Sequence, residues 1–186
     1  MRGLKIPALI ALIVITGVAG YLLGHSGLNP LQRANQRLAR LNQTLAHQEV
    51  ALFFSHATPQ RYYLQPVLTK LPRTGGEIHR QALEALFAGP PVDSGLDEVF
   101  PKDAKVLSLK LKNGLAVVNL NQAATRINVG AQGEALAIAA LVNTLTKFPD
   151  VYRVQILIEG EPAESLAGHV DLTQTFEYDN RDVLVQ

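Results

Sequence analysis

Residues Leu109 to Asn121 read LKLKNGLAVVNLN. Two runs of alternating apolar residues meet at Asn113-Gly114, the dipeptide that best tolerates the positive φ angles of a type I′ turn. The stretch is therefore a β-hairpin whose register the turn sets. Alternation places Leu107, Leu109 and Leu111 inward and Ser108, Lys110 and Lys112 outward, and neither face carries a nucleophile beside a base. A hairpin this well specified calls for covering helices, and the flanking sequence supplies them.

Upstream, TGGEIHRQALEALFAGPP reads as a helix. Thr74 and Glu77 have capping-box spacing, Ile78, Ala82, Ala85 and Leu86 make an apolar stripe, and Gly89-Pro90-Pro91 ends it. Downstream, GEALAIAALVNTLTKF predicts a longer helix from about Gly133 to Phe148. It is apolar around most of its middle, so it should be buried between a sheet and a second layer. Pro149-Asp150 ends it, and VYRVQILIEG follows as a strand with Tyr152, Val154, Ile156 and Ile158 facing the core and Arg153, Gln155 and Glu159 facing solvent. A turn is expected at Glu161-Pro162. Ahead of all this, VALFF (Val50 to Phe54) reads as a buried strand, and RYYLQPVLTKLP as a second strand that Pro66 and Pro72 confine to an edge. The order predicts an α+β domain, a small mixed sheet of about five strands with two helices packed on one face. The polar tail after Thr175 is expected to fray.

With 186 residues, 47% of them apolar, the chain can bury one full core. The 17 basic and 16 acidic residues give no clustered basic excess, which argues against nucleic acid as a partner. Only five basic residues and one acidic residue fall in the first 49, so the remainder is mildly acidic. There is no cysteine, hence no disulfide, thiolate metal site or lipidated N-terminal Cys.

Ile6 to Leu23, IPALIALIVITGVAGYLL, is an uncharged apolar run of 18 residues, long enough to cross a membrane as a helix. Arg2 and Lys5 precede it, which predicts a cytoplasmic N-terminus and an extracytoplasmic C-terminal domain. A cleaved signal peptide, cut near GVAG, is the alternative. Asn29-Pro30 then opens a helix from about Leu31 to His47. Leu31, Ala34, Leu38, Leu41 and Leu45 fall on a seam of two heptads, suited either to pairing with a copy of itself or to lying on the domain or the membrane surface. The expected organisation is thus a membrane anchor or signal peptide over 1–25, a juxtamembrane stalk over 26–49, a globular domain over 50–175 and a tail over 176–186.

Four stretches, ALEALFAGPP, GLDEVFPKDAKVLSLKLKNGLAVVNLN, ALVNTLTKFPDVYRVQILIEGE and LAGHVDL, resemble in order and spacing the GerMN domain of sporulation and spore-germination proteins. The resemblance runs from about Val50 to Leu172. It rests on Gly89-Pro90, Asn113-Gly114, Thr144-Leu145 before Phe148-Pro149, and Gly168-His169-Val170-Asp171-Leu172. It implies a non-catalytic α+β module, similar to the ring-building domains of envelope assemblies, set behind a membrane or lipid anchor. It also implies no cofactor, and partners among envelope proteins or further copies of the chain. Lacking the anchoring cysteine of many relatives, this chain would attach through Ile6 to Leu23.

Candidates for chemistry are few, and no residue is assigned a catalytic, cofactor or metal role. His169 and Asp171, two apart, would share a face on a strand and could hold a metal or form a base with its orienter. The structural alternative is that they close a turn after Gly168. Ser55-His56 lacks a nucleophile-elbow motif, and adjacent strand residues point to opposite faces. RTGGE lacks the lysine of a phosphate loop and serves as a helix entry. NVGAQGE, ahead of the long helix, is read as a connector, with anion binding as the alternative. Lys102, Lys105, Lys110 and Lys112 form the one local concentration of charge, suited to an acidic partner or to plain solvation. Besides the assembly or binding module, two functions stay open: a glycan or small-ligand sensor using the cleft between the long helix and Val92 to Ala104, and an envelope hydrolase relying on His169.

Overall fold

The computed structural model describes residues 30–58, 61–73, 77–127 and 130–183, with the backbone alone at 40–45. The chain divides into two compact units, before and after His47. Helix α1 (Pro30–Ala46) belongs to the first, and Pro30 takes the first helical position as its missing N–H allows. The expected membrane segment Ile6 to Leu23 lies outside the described residues. Among those described, no helix is long and apolar enough to cross a membrane.

The second unit opens with β1 (His47–Ala57), three residues earlier than VALFF indicated, and β2 (Tyr62–Pro72), paired antiparallel from His47 against Pro72 to Ala57 against Tyr62. These two strands form a sheet of their own. Helix α2 (Ile78–Phe87) follows, then β3 (Val106–Lys112), β4 (Leu115–Leu120), a 3-10 turn (Gln122–Thr125), α3 (Gly130–Thr146), β5 (Arg153–Ile158) and β6 (Glu161–Pro162). A second sheet runs β3-β4-β5-β6, with β4 and β5 parallel and the other pairs antiparallel.

The expected single sheet with helices on one face is therefore two sheets, and both helices touch strands of both. The cause lies in α3. It buries Leu136, Ala137, Ile138, Ala140, Leu141, Val142 and Leu145, an apolar surface too wide for one sheet to cover. Burying side chains of this size stabilises the fold by roughly 1.5–3 kcal/mol for each large one. In β1, consecutive Leu52, Phe53 and Phe54 are all buried, so this strand too is covered on both faces. Among the described strands β2 pairs only with β1, consistent with the edge position that Pro66 and Pro72 demand, and its far side carries a single bridge from Leu64 to Val183.

The opening hairpin turns at Asn113 and Gly114, with φ of 51° and 76°, as a type I′ turn requires. Leu109 and Leu111 stand opposite buried Val118 and Ala116, Leu109 packed against the core and Leu111, near the end of the hairpin, 36% exposed. Leu107 does not follow them. The register shifts between Val106 and Ser108, so Leu107 is the extra residue of a bulge and stays 42% exposed, while Val106 takes the buried place opposite Leu120. The two asparagines that close the quoted stretch tie down loops. Asn119 accepts from the Gly160 N–H at 2.7 Å. Asn121 accepts from the Lys105 N–H at 2.8 Å and donates to the Asp103 carbonyl at 2.9 Å.

Three further expectations give way. Tyr152 is 68% exposed rather than in the core; its ring lies where a side chain on Gly114 would project, and its N–H donates to the Gly114 carbonyl at 2.8 Å. The turn after β5 is Glu159-Gly160, both at positive φ, and Glu161–Pro162 is β6. Glu77 is the N-cap residue of α2 and makes no side-chain cap, so the helix starts later than a capping box with Thr74 requires. Thr74 itself is outside the described residues. The far end of α2 matches expectation, with Gly89 at φ 95° beyond the last turn.

Candidate functional site

Three polar side chains on the apolar helix α3 are buried: Glu134, Asn143 and Thr144. A buried polar group must find partners, and each of these finds backbone. Glu134, 0% exposed, accepts from the N–H groups of Leu166 (2.9 Å) and Ala167 (3.0 Å) at Oε1 and of His169 (2.9 Å) at Oε2. One carboxylate thus organises the LAGHVDL loop. Asn143 holds Asp179 at both ends, donating to its carbonyl at 2.6 Å and accepting from its N–H at 2.9 Å. Thr144 Oγ1 accepts the Phe53 N–H of β1 at 3.2 Å.

The segment after Thr175 is therefore docked and does not fray over its described part. Phe176 bridges Val154, with 2.8 Å bonds in both directions, and Val183 bridges Leu64. Lys147 Nζ stands 4.1 Å from the centroid of the Tyr178 ring, which meets Phe53 edge-on at 6.3 Å. Glu134 and Asn143 are the residues that pattern reading missed. Their signal was present: an acid and an amide inside an otherwise apolar helical stretch must be paired somewhere.

The LAGHVDL loop contains no strand, so His169 and Asp171 do not share a strand face. His169 contributes its backbone N–H to Glu134. Asp171 accepts from Thr173 Oγ1 at 2.6 Å and Thr173 N at 2.8 Å, closing a local turn, and these bonds hold its carboxyl below the usual range. His56 donates from Nδ1 to the Gly95 carbonyl at 2.8 Å and packs at a tilt against Tyr63, so its ring binds the 92–104 loop to β1. His79 meets Asp150 at 2.9 Å and packs at a tilt against Phe148, joining α2 to the turn before β5. Among the described residues, no three or more His, Cys, Asp or Glu are placed to hold a metal ion.

Of the lysines, Lys102 pairs with Glu98 at 3.3 Å, and Lys110 and Lys112 are exposed on β3, an edge strand of its sheet. RTGGE lies mostly outside the described residues. NVGAQGE is not a connector over its described part, because α3 begins at Gly130.

The cleft anticipated between the long helix and the 92–104 loop is present, with a volume of about 450 Å³. Its walls are Ser55 and Ala57 at the end of β1, Tyr62 at the start of β2, Asp97, Glu98 and Val99, and Gln132, Gly133 and Leu136 in the first turns of α3. Asp97 is fixed there by its N–H to the Ser55 carbonyl at 2.8 Å and by the Ala57 N–H on its Oδ2 at 3.1 Å. Two carboxylates beside the helix start make the cleft unsuited to an anion. It suits a neutral or cationic group resting on Tyr62.

The model of the Germane family, described as sporulation and spore germination, matches residues 51–164. The chain belongs to this GerMN family. Among solved structures, it is similar to the tandem GerMN domains of the sporulation protein GerM from Bacillus subtilis at 23% identity and TM-score 0.63. That match covers 75% of this chain and 49% of the other, so the chain spans about half the length of the tandem structure. The first GerMN domain of the same protein is 22% identical with TM-score 0.52, covering 73% of this chain and 98% of that domain. A Clostridium perfringens protein described as a lipoprotein is 25% identical with TM-score 0.53, covering 73% and 91% of the two chains. A comparison with curated proteins returned no match. The GerMN match ends at Glu164, immediately before the loop that Glu134 holds and the docked C-terminal segment.

Proposed function

We propose that this GerMN chain is a membrane-tethered, non-catalytic assembly or binding module of the bacterial cell envelope, with its C-terminal domain extracytoplasmic and acting in sporulation or germination. The observation that carries the reading is the use of the polar groups: the buried ones on α3, the His56 ring and the Asp171 carboxylate bind the fold itself, and His169 joins the fold through its backbone N–H. A module of this kind works through its surfaces. Ile6 to Leu23 would supply the tether, and envelope proteins or further copies of the chain the partners. The description of one similar protein as a lipoprotein agrees with a tethered arrangement.

Mass photometry and crosslinking of the detergent-solubilised full chain test the proposal. Oligomers, or a co-purifying envelope protein, are expected; a strict monomer with nothing attached contradicts it. The Tyr62 cleft favours a second reading, a sensor of cell-wall glycan or a small ligand. Titrating muropeptides while following amide shifts of Ser55, Asp97 and Gln132 tests it, and uniformly silent spectra remove it.

A further inference from the structure

Helix α1 leaves an apolar stripe uncovered: Leu31 is 76% and Leu38 57% exposed. At 3.6 residues per turn, Leu31, Ala34 and Leu38 fall within an arc of about 60°, and Arg33 and Arg37 begin about 60° to one side of it. In sequence, Leu41 and Leu45 extend the apolar spacing and Arg40 the arginine spacing. Pro30–Ala46 contains no acidic residue. A narrow apolar stripe beside arginines, on a helix whose other residues are polar apart from Pro30, Ala39 and Ala46, is the pattern of helices that lie in the plane of a bilayer. Arginine reaches headgroups from such a position with its aliphatic stem along the apolar boundary.

We infer that α1 is an interfacial helix that seats Leu31, Ala34 and Leu38 in an anionic lipid surface, with Arg33 and Arg37 against the headgroups. Charge decides this occupant over a second copy of the helix. A paired copy offers the arginines no acid, and two heptads with Ala34 in the seam make a poor coiled coil. The inference extends the tethering reading to the segment beside the apolar run, and its test separates the two.

The chain contains no Trp, so Leu38→Trp in the full-length protein is a single reporter. Its fluorescence is read in vesicles of phosphatidylcholine, alone or mixed with phosphatidylglycerol, carrying brominated acyl chains. Quenching is expected on the mixed vesicles and not on phosphatidylcholine, whereas Gln36→Trp, on the polar face, stays unquenched on both. Neutralising both flanking charges (Arg33→Gln with Arg37→Gln) should lower the ratio of seated to free helix about 25-fold, from roughly five-fold per charge. A Leu38→Trp reporter that is unquenched on mixed vesicles overturns the inference, and so does a blue shift that grows with protein density without quenching, which marks pairing. Leu31→Trp repeats the reading should Leu38→Trp disturb the helix. Flotation of the same vesicles in high salt reports the anchor separately: a protein that floats there but whose reporter is unquenched in low salt keeps the tether and sinks this inference, and one quenched in low salt but lost in high salt does the reverse.

Discussion

Hairpin β3–β4 is shaped by residues next to one another: Asn113 and Gly114 take positive φ, and every pair from Lys112-Leu115 back to Ser108-Asn119 follows from that turn. The stretch 163–183 is shaped from a distance. Its described residues form isolated bridges and no strand or helix, and they are held by Glu134 and Asn143, about 35 residues earlier on α3. One is coded locally and the other through buried polar groups of a separate element. The lesson is that irregular chain can be as integral to a domain as a strand when a buried acceptor collects its N–H groups.

The largest expected effect breaks the distant kind of support. Glu134→Ala leaves three inward N–H groups without an acceptor, and denaturant unfolding should show a loss of about 4 kcal/mol, a large share of a typical domain's stability. Asn143→Ala releases one residue rather than a loop and should cost about 2 kcal/mol, with narrowing of the chemical-shift dispersion confined to the neighbourhood of Asp179.

Gly114→Ala tests the local kind. It meets both the positive φ and the Tyr152 ring that occupies the space beside Gly114, so about 2 kcal/mol is expected, falling to about 1 kcal/mol in a Tyr152→Ala background where only the backbone conformation is opposed. Equal costs in both backgrounds would show that the ring plays no part.

The smallest effect concerns Asp171. Its folded pKa lies below the ordinary value of 3.8, so its contribution to stability is present above that ordinary value and disappears as the pH falls through the lower folded one. Thr173→Val removes the hydroxyl that dominates the shift, and a carboxyl titration followed by NMR should move upward toward 3.8.

These pairs also mark how far residue patterns reach. The turn at Asn113-Gly114, the helix stop at Gly89, the edge character of β2 and the alternation in Val154, Ile156 and Ile158 are local physics, and they were legible. The bulge at Leu107 was not, because it depends on which residue of β4 Val106 meets. Tyr152 alternates correctly for a core position, yet it precedes the first β5 residue and covers a glycine instead. The division into two sheets follows from α3 being apolar on more than one side, a feature visible in the sequence, which calls for a second layer without saying that the layer is a sheet. Glu134 and Asn143 announced a need for partners without naming them, since hydrogen bonds across more than 30 residues leave no periodic trace. The Tyr62 cleft was placed correctly between the long helix and the 92–104 loop, although its two carboxylates acquire meaning only once Asp97 is seen fixed to Ser55 and Ala57.

The buried polar chemistry of this chain maintains its fold and ties in the segment that follows residue 164. Native-state amide exchange at Leu166, Ala167 and His169 tests that directly. In the wild type these amides should exchange as slowly as Val118 in β4, and in Glu134→Ala as fast as an exposed loop. Rapid exchange in the wild type, or unchanged protection in the variant, would contradict it.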